Sequence, residues 1–135
     1  MITWTASLEV GVKKVDDQHK ELVDNINKLH AAMMERKGKE VVGNILNFLK
    51  SYAISHFSTE ESLMRLNGYP NYEAHKKLHE DFKVDFLNLA KDLAANPESP
   101  VLTIQVENRL SNWLVNHIKK VDKETMAFLV SKGVK

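Results

Sequence analysis

Hydrophobic residues recur every three or four positions through most of this chain, a period that indicates amphipathic α-helices. Four helical segments can be distinguished. The first two are predicted at about residues 17–36 and 39–66, and the third from about residue 71 to Asn96-Pro97. The fourth begins at Ser99-Pro100, where the serine can cap the helix and proline suits the first helical position.

The residues between these segments are ones that end helices. Gly38 follows the first segment, Asn67-Gly68 the second and Asn96-Pro97 the third. Because the connections are short, we expect an all-α fold: an up-down-up-down antiparallel four-helix bundle.

The first 15 residues lack the helical period and are expected to form a non-helical arm, with Trp4 and Leu8 packing on the bundle. Asp16 or Asp17 is expected to be the N-cap of the first helix. A length of 135 residues suits one domain, with the arm at residues 1–15 and the helical bundle and C-terminal segment at residues 17–129.

The composition excludes several classes of chemistry. There is no cysteine, so zinc–thiolate sites, iron–sulfur clusters, thiol catalysis and disulfides are excluded. The 19 Lys and Arg nearly balance the 18 Asp and Glu, which gives little support for a nucleic-acid or anionic-membrane partner. Neither a signal segment nor an apolar stretch of roughly 18 residues is present, so we expect a cytoplasmic protein.

Five of the six histidines can be grouped with two carboxylates. Two pairs lie four residues apart, and residues at that spacing share one face of a helix. A third pair lies five residues apart, and one histidine stands alone near the start of the first helix. The set is too large for one metal ion and about right for two: His19, His56 with Glu60, His75 with His79, and His117 with Asp122.

The turns and the histidine motifs independently predict one shared layer. In an antiparallel hairpin, residues equidistant from the turn lie at the same height. His19 and the midpoint of the His56/Glu60 pair centre on residues 38–39, the first turn. The midpoints of the His56/Glu60 and His75/His79 pairs centre on residues 67–68, the second turn. The midpoint of the His75/His79 pair and His117 centre on residue 97, the third turn. All three centres coincide with predicted turns.

The donor set limits the choice of metal. Histidine and carboxylate ligands without thiolate favour iron, and leave manganese and zinc as alternatives. Five histidines divide unequally, so one ion takes three and the other two, with Glu60 and Asp122 bridging them. The ion with fewer histidines then keeps an open position for a small ligand. His117 and Asp122 lie about 140° apart on an ideal helix, so the fourth helix must loosen or end between them. Lys119 and Lys120 suit such an end.

The order of an isolated histidine, HxxxE, HxxxH and HxxxxD on four helices resembles the hemerythrin family, specifically the single-domain bacterial hemerythrins (bacteriohemerythrins). The resemblance extends to VGV after Trp4, DDQHKEL, the EE and GYP around the second turn, and WLVNHIKKVD. It implies a non-heme di-iron centre (Fe2+/Fe3+) with an oxo or hydroxo bridge that binds dioxygen reversibly for storage, delivery or scavenging.

The same resemblance implies roles for individual residues. His75, His79 and His117 would hold one iron and His19 and His56 the other, and Leu114 would be the apolar residue over the dioxygen pocket. Sensing of dioxygen, nitric oxide or redox state is the alternative function, and an enzymatic role is not expected. The resemblance leaves open whether an oxygen-consuming protein is its partner.

Two further residues near these motifs are not expected to take part. Glu61 is expected to face solvent. His30 lies on the same helix face as His19, but roughly 16 Å along the axis, too far to share its site.

Overall fold

The computed structural model describes all 135 residues, and every regular element in it is helical. Three long helices, α1 (Lys13–Met34), α2 (Lys39–Leu66) and α3 (Tyr72–Ala95), alternate in direction. The fourth bundle helix is made of five consecutive segments: α4 (Pro100–Val106), a π segment (Glu107–Ser111), α5 (Asn112–His117), a second π segment (Ile118–Asp122) and α6 (Lys123–Ser131). The predicted all-α four-helix bundle is confirmed.

The start of α1 differs from the prediction. The helix begins at Lys13 with Val12 at the N-cap position, so neither Asp16 nor Asp17 is the N-cap. The Asp16 carboxylate instead accepts hydrogen bonds from the backbone N–H groups of Val10 (2.8 Å) and Gly11 (3.3 Å). Asp16 therefore fixes the arm against the first turn of the helix.

The fourth bundle helix begins as predicted but does not end where an end was expected. The Ser99 side chain accepts a hydrogen bond from the backbone N–H of Leu102, and Pro100 follows it. After His117 the helix widens into the second π segment and then continues as α6. A π segment holds an extra residue per turn, which brings Asp122 onto the face of His117. The predicted loosening is confirmed, and a helix end at Lys119 and Lys120 is wrong.

The N-terminal arm is not wholly non-helical, because Ala6–Leu8 forms a short 3-10 turn that buries Leu8. The arm is held to α1 by the Asn27 side chain, which accepts from the backbone N–H of Ile2 (2.9 Å) and donates to its carbonyl (2.8 Å). Trp4 packs against the core as a partly buried residue, as predicted.

The interior is divided between an apolar end and a polar end. Fully buried leucines such as Leu29, Leu89 and Leu110 fill the end formed by the first turn and the start of the fourth bundle helix. The other end holds all the buried histidine and carboxylate side chains. None of the helices combines the length and the hydropathy needed to cross a membrane.

Candidate metal centre

Seven buried polar side chains meet in one layer at the polar end of the bundle. None of the seven is more than 6% exposed. They form two groups whose nitrogen and oxygen atoms lie within 4.8 Å of one another. One group has three histidines, the other has two, and both contain the same two carboxylates: His75, His79, His117, Glu60 and Asp122; and His19, His56, Glu60 and Asp122. The structure thus brings all the predicted ligand residues together.

The Glu60 carboxylate directs one oxygen to each group of histidines. Its Oε2 atom lies 3.1 Å from Nε2 of His56 and 3.3 Å from Nε2 of His19. Its Oε1 atom lies 3.2 Å from Nε2 of His79 and 3.5 Å from Nε2 of His75. A carboxylate divided in this way has the geometry of a bridge between two cations.

Asp122 divides its oxygens in the same manner. Its Oδ2 atom lies 3.1 Å from Nε2 of His19, in the two-histidine group. Its Oδ1 atom lies 3.1 Å from Nε2 of His75 and 3.3 Å from Nε2 of His117, in the three-histidine group. The second π segment makes this possible, because it turns Asp122 toward the layer.

The facing atoms of this layer are short of hydrogen-bond partners. Both oxygens of Glu60 and of Asp122, and Nε2 of His19 and His79, are buried without a hydrogen bond. Nε2 of His75 has a hydrogen-bond contact with Nε2 of His117 at 3.2 Å, a second ligand nitrogen. Leaving so many polar atoms buried without hydrogen bonds is costly, and cations among them would satisfy both the oxygens and the nitrogens. The layer therefore fits metal ions.

The electrostatics of the layer favour positive charge. Burial lowers the pKa of His19, but Asp122 and Glu60 outweigh it and raise that pKa to about 10. The same balance raises the pKa of His75 to about 9. Burial raises the pKa of Glu60, yet the neighbouring histidines hold it well below its usual range. Without metal, His19 and His75 keep their protons at neutral pH, so metal ions compete with protons for their nitrogens.

Three histidines of the layer have a polar partner behind them. Nδ1 of His56 lies 2.7 Å from Oε1 of Gln18, and Nδ1 of His75 lies 2.7 Å from Oγ1 of Thr125. Such partners fix the ring so that the other nitrogen faces the metal. Neither Gln18 nor Thr125 is expected from the sequence, although Gln18 directly precedes the predicted ligand His19.

The third partner is Glu61, and the expectation that it faces solvent is wrong. Its Oε2 atom lies 2.9 Å from Nδ1 of His79, and its side chain is only 14% exposed. Glu61 follows Glu60 on α2, so it is rotated about 100° around the helix, which turns it toward α3. His30, by contrast, lies outside both groups, as predicted.

One side of the layer is closed by apolar and aromatic side chains. Phe57 stacks on His79 with ring centres 4.0 Å apart, and Trp113 stacks on His117 at 4.4 Å. Phe57 and Trp113 also line a cavity of about 20 Å³ whose ten lining residues are all hydrophobic. Leu114 is 4% exposed and is part of this lining. The structure places Leu114 in an apolar wall beside the layer; its role over dioxygen stays a prediction.

Comparison with known proteins gives consistent matches. The family model described as the hemerythrin HHE cation binding domain matches residues 10–129. Bacteriohemerythrin of Methylococcus capsulatus is 36% identical over 124 residues, which cover 91% of this chain and 92% of that protein. Myohemerythrin of Theromyzon tessulatum is 31% identical over 119 residues, 88% of this chain and 86% of that protein. A solved wild-type hemerythrin structure superposes with a TM-score of 0.84 at 35% identity, covering 96% of this chain and 98% of that one.

Proposed function

This chain belongs to the hemerythrin family, and we propose that it binds dioxygen reversibly at a non-heme di-iron centre. The observation that carries the proposal is the pair of histidine groups that share two buried carboxylates. Two groups with common carboxylates suit two adjacent cations. Storage, delivery and scavenging of dioxygen all rest on this property.

The distances support a specific division of the ligands, which is part of the proposal. The ion with three histidines is held by His75, His79 and His117, and the ion with two by His19 and His56. Glu60 and Asp122 bridge the ions, since each has one oxygen toward each group. An oxo or hydroxo group would complete the bridge, as membership of the family implies.

The surrounding residues favour binding over turnover. When bound, the iron pair supplies an open coordination position and the electrons for reversible dioxygen binding. The protein contributes an apolar surround: Phe57, Trp113 and Leu114 line a cavity whose ten lining residues are all hydrophobic. Such a wall excludes water and has no acid or base side chain to transfer a proton to the bound gas. We therefore propose a binding protein rather than an enzyme.

The alternative of sensing dioxygen, nitric oxide or redox state is not favoured. The matched relatives are named bacteriohemerythrin and myohemerythrin, and the match covers 92% of the Methylococcus capsulatus protein. A cytoplasmic location, a single-domain organisation and a partner that consumes oxygen stay predictions.

Iron content tests the proposed centre. We expect two iron ions per chain after anaerobic loading with ferrous iron and removal of excess metal, because two groups of donors are present. Elemental analysis against protein concentration gives the ratio. A His30→Ala variant should load equally, since His30 lies outside both groups. A ratio of one, or a strong preference for zinc over iron, would contradict the proposal.

A further inference from the structure

The outward nitrogens of the candidate ligands face chemically different partners. Nδ1 of His56 meets the neutral amide oxygen of Gln18, and Nδ1 of His75 meets the hydroxyl of Thr125. Nδ1 of His19 is buried without a partner. Only His79, in the three-histidine group, has a carboxylate behind it: its Nδ1 atom lies 2.9 Å from Oε2 of Glu61. The two groups thus differ in charge as well as in histidine number.

The Glu61 charge is well placed to act through His79. Its side chain is only 14% exposed and forms no ion pair with a lysine or arginine, so water screens its charge little. The His79 ring is held in place by Phe57, which stacks on it with an angle of 12° between the planes. If a metal ion were bound at Nε2, Nδ1 would carry the ring proton and donate a hydrogen bond to Oε2 of Glu61. A hydrogen bond to a carboxylate makes the opposite nitrogen a more basic ligand.

We propose that Glu61 is a positioning residue that makes the three-histidine iron the easier of the two to oxidise. Oxidation of a ferrous ion removes one electron and adds one positive charge, and an anion behind its ligand stabilises that charge. The two-histidine iron lacks this help because Gln18 is neutral. This inference rests on the proposed di-iron function and assigns unequal reduction potentials to its two ions.

Two opposite substitutions test the inference in the two-iron protein. Glu61→Gln keeps an acceptor for the His79 proton but removes the charge, so the first one-electron oxidation should move to a more positive potential. Gln18→Glu adds a charge behind His56, so the second oxidation should move to a more negative potential. The separation between the two steps therefore narrows in both variants. In each variant the potential of the affected oxidation is expected to shift by about 59 mV, which for one electron is on the order of tenfold in the equilibrium constant of that oxidation.

The measurement is a spectroelectrochemical titration of each variant, with ferricyanide as the mediating oxidant that accepts the electrons. Glu73→Gln is the matched control, because Glu73 is exposed on the same helix as His79 and its loss should leave the separation unchanged. An unchanged or wider separation in Glu61→Gln overturns the inference, as does equal narrowing in the control. If Glu61→Gln does not load two irons, Gln18→Glu decides alone. Failure of the wild-type protein to load two irons would instead refute the proposed function.

Discussion

Replacing Glu60 by alanine is expected to remove both irons together. Glu60 is fully buried, and its two oxygens face different histidine groups at 3.1–3.5 Å. The substitution therefore takes one donor from each proposed ion and leaves two cations with a single bridging carboxylate. Loss of an outer partner alone costs about 10–100-fold in metal affinity, and loss of a shared ligand should cost more for both ions. Iron content after gel filtration should fall from two per chain to near zero.

His19→Ala is the informative companion to this variant. His19 belongs only to the two-histidine group, so its loss should weaken one ion and leave about one iron per chain. The comparison separates a bridging ligand from a terminal one, since both changes remove a single buried side chain. Two irons and an unchanged optical spectrum in Glu60→Ala would contradict the bridging role.

Replacing Leu114 by alanine is expected to preserve two irons but accelerate autoxidation. Leu114 is 4% exposed and lines the apolar cavity together with Phe57 and Trp113. A smaller side chain admits water and protons. Protonation helps the reduced oxygen to leave, and its departure leaves the irons oxidised. The enlarged cavity should also lower the free energy of unfolding by about 2–5 kcal/mol. The decay of the oxygenated form, measured at equal iron content, gives the effect.

Leu89→Ala is the control for that loss of stability. Leu89 is fully buried but does not line the cavity beside the metal layer. It should lose a similar free energy of unfolding while its oxygenated form decays as in the wild type. Equal decay in Leu114→Ala and in the wild type would mean that Leu114 does not guard the site.

The positions of the candidate ligands could be predicted because two periodic patterns agree. The helical repeat fixes which residues share a face, and helix-ending residues such as Gly38 and Asn67-Gly68 fix the height at which neighbouring helices meet. His19, His56 and Glu60 met as expected because α2 lies at Lys39–Leu66, as predicted, beyond the Gly38 turn.

The residues behind the ligands could not be predicted in this way. Each of these residues contacts a histidine that belongs to a helix other than its own: Gln18, Glu61 and Thr125. Such contacts depend on how far each helix is rotated about its axis, which the hydrophobic pattern gives only coarsely. The sequence therefore predicts that Glu61, next to Glu60, faces solvent, although its side chain lies between α2 and α3.

Departures from regular helix were also beyond a local pattern. The second π segment was expected only because His117 and Asp122 had to face one site, and nothing in IKKVD itself indicates it. The first π segment, Glu107–Ser111, has no such constraint in the sequence and was not expected. Asp16 is a residue type that favours the N-cap position, but its carboxylate accepts hydrogen bonds from the backbone N–H groups of Val10 and Gly11 in the arm instead.

The optical spectrum of the reduced, two-iron protein tests the central claim most directly. The spectrum is recorded without oxygen, after admission of air, and again after the oxygen is removed under argon. Reversible dioxygen binding predicts a visible band that appears with air, disappears under argon, and returns over repeated cycles at constant iron content. Immediate oxidation that argon does not reverse would contradict the account.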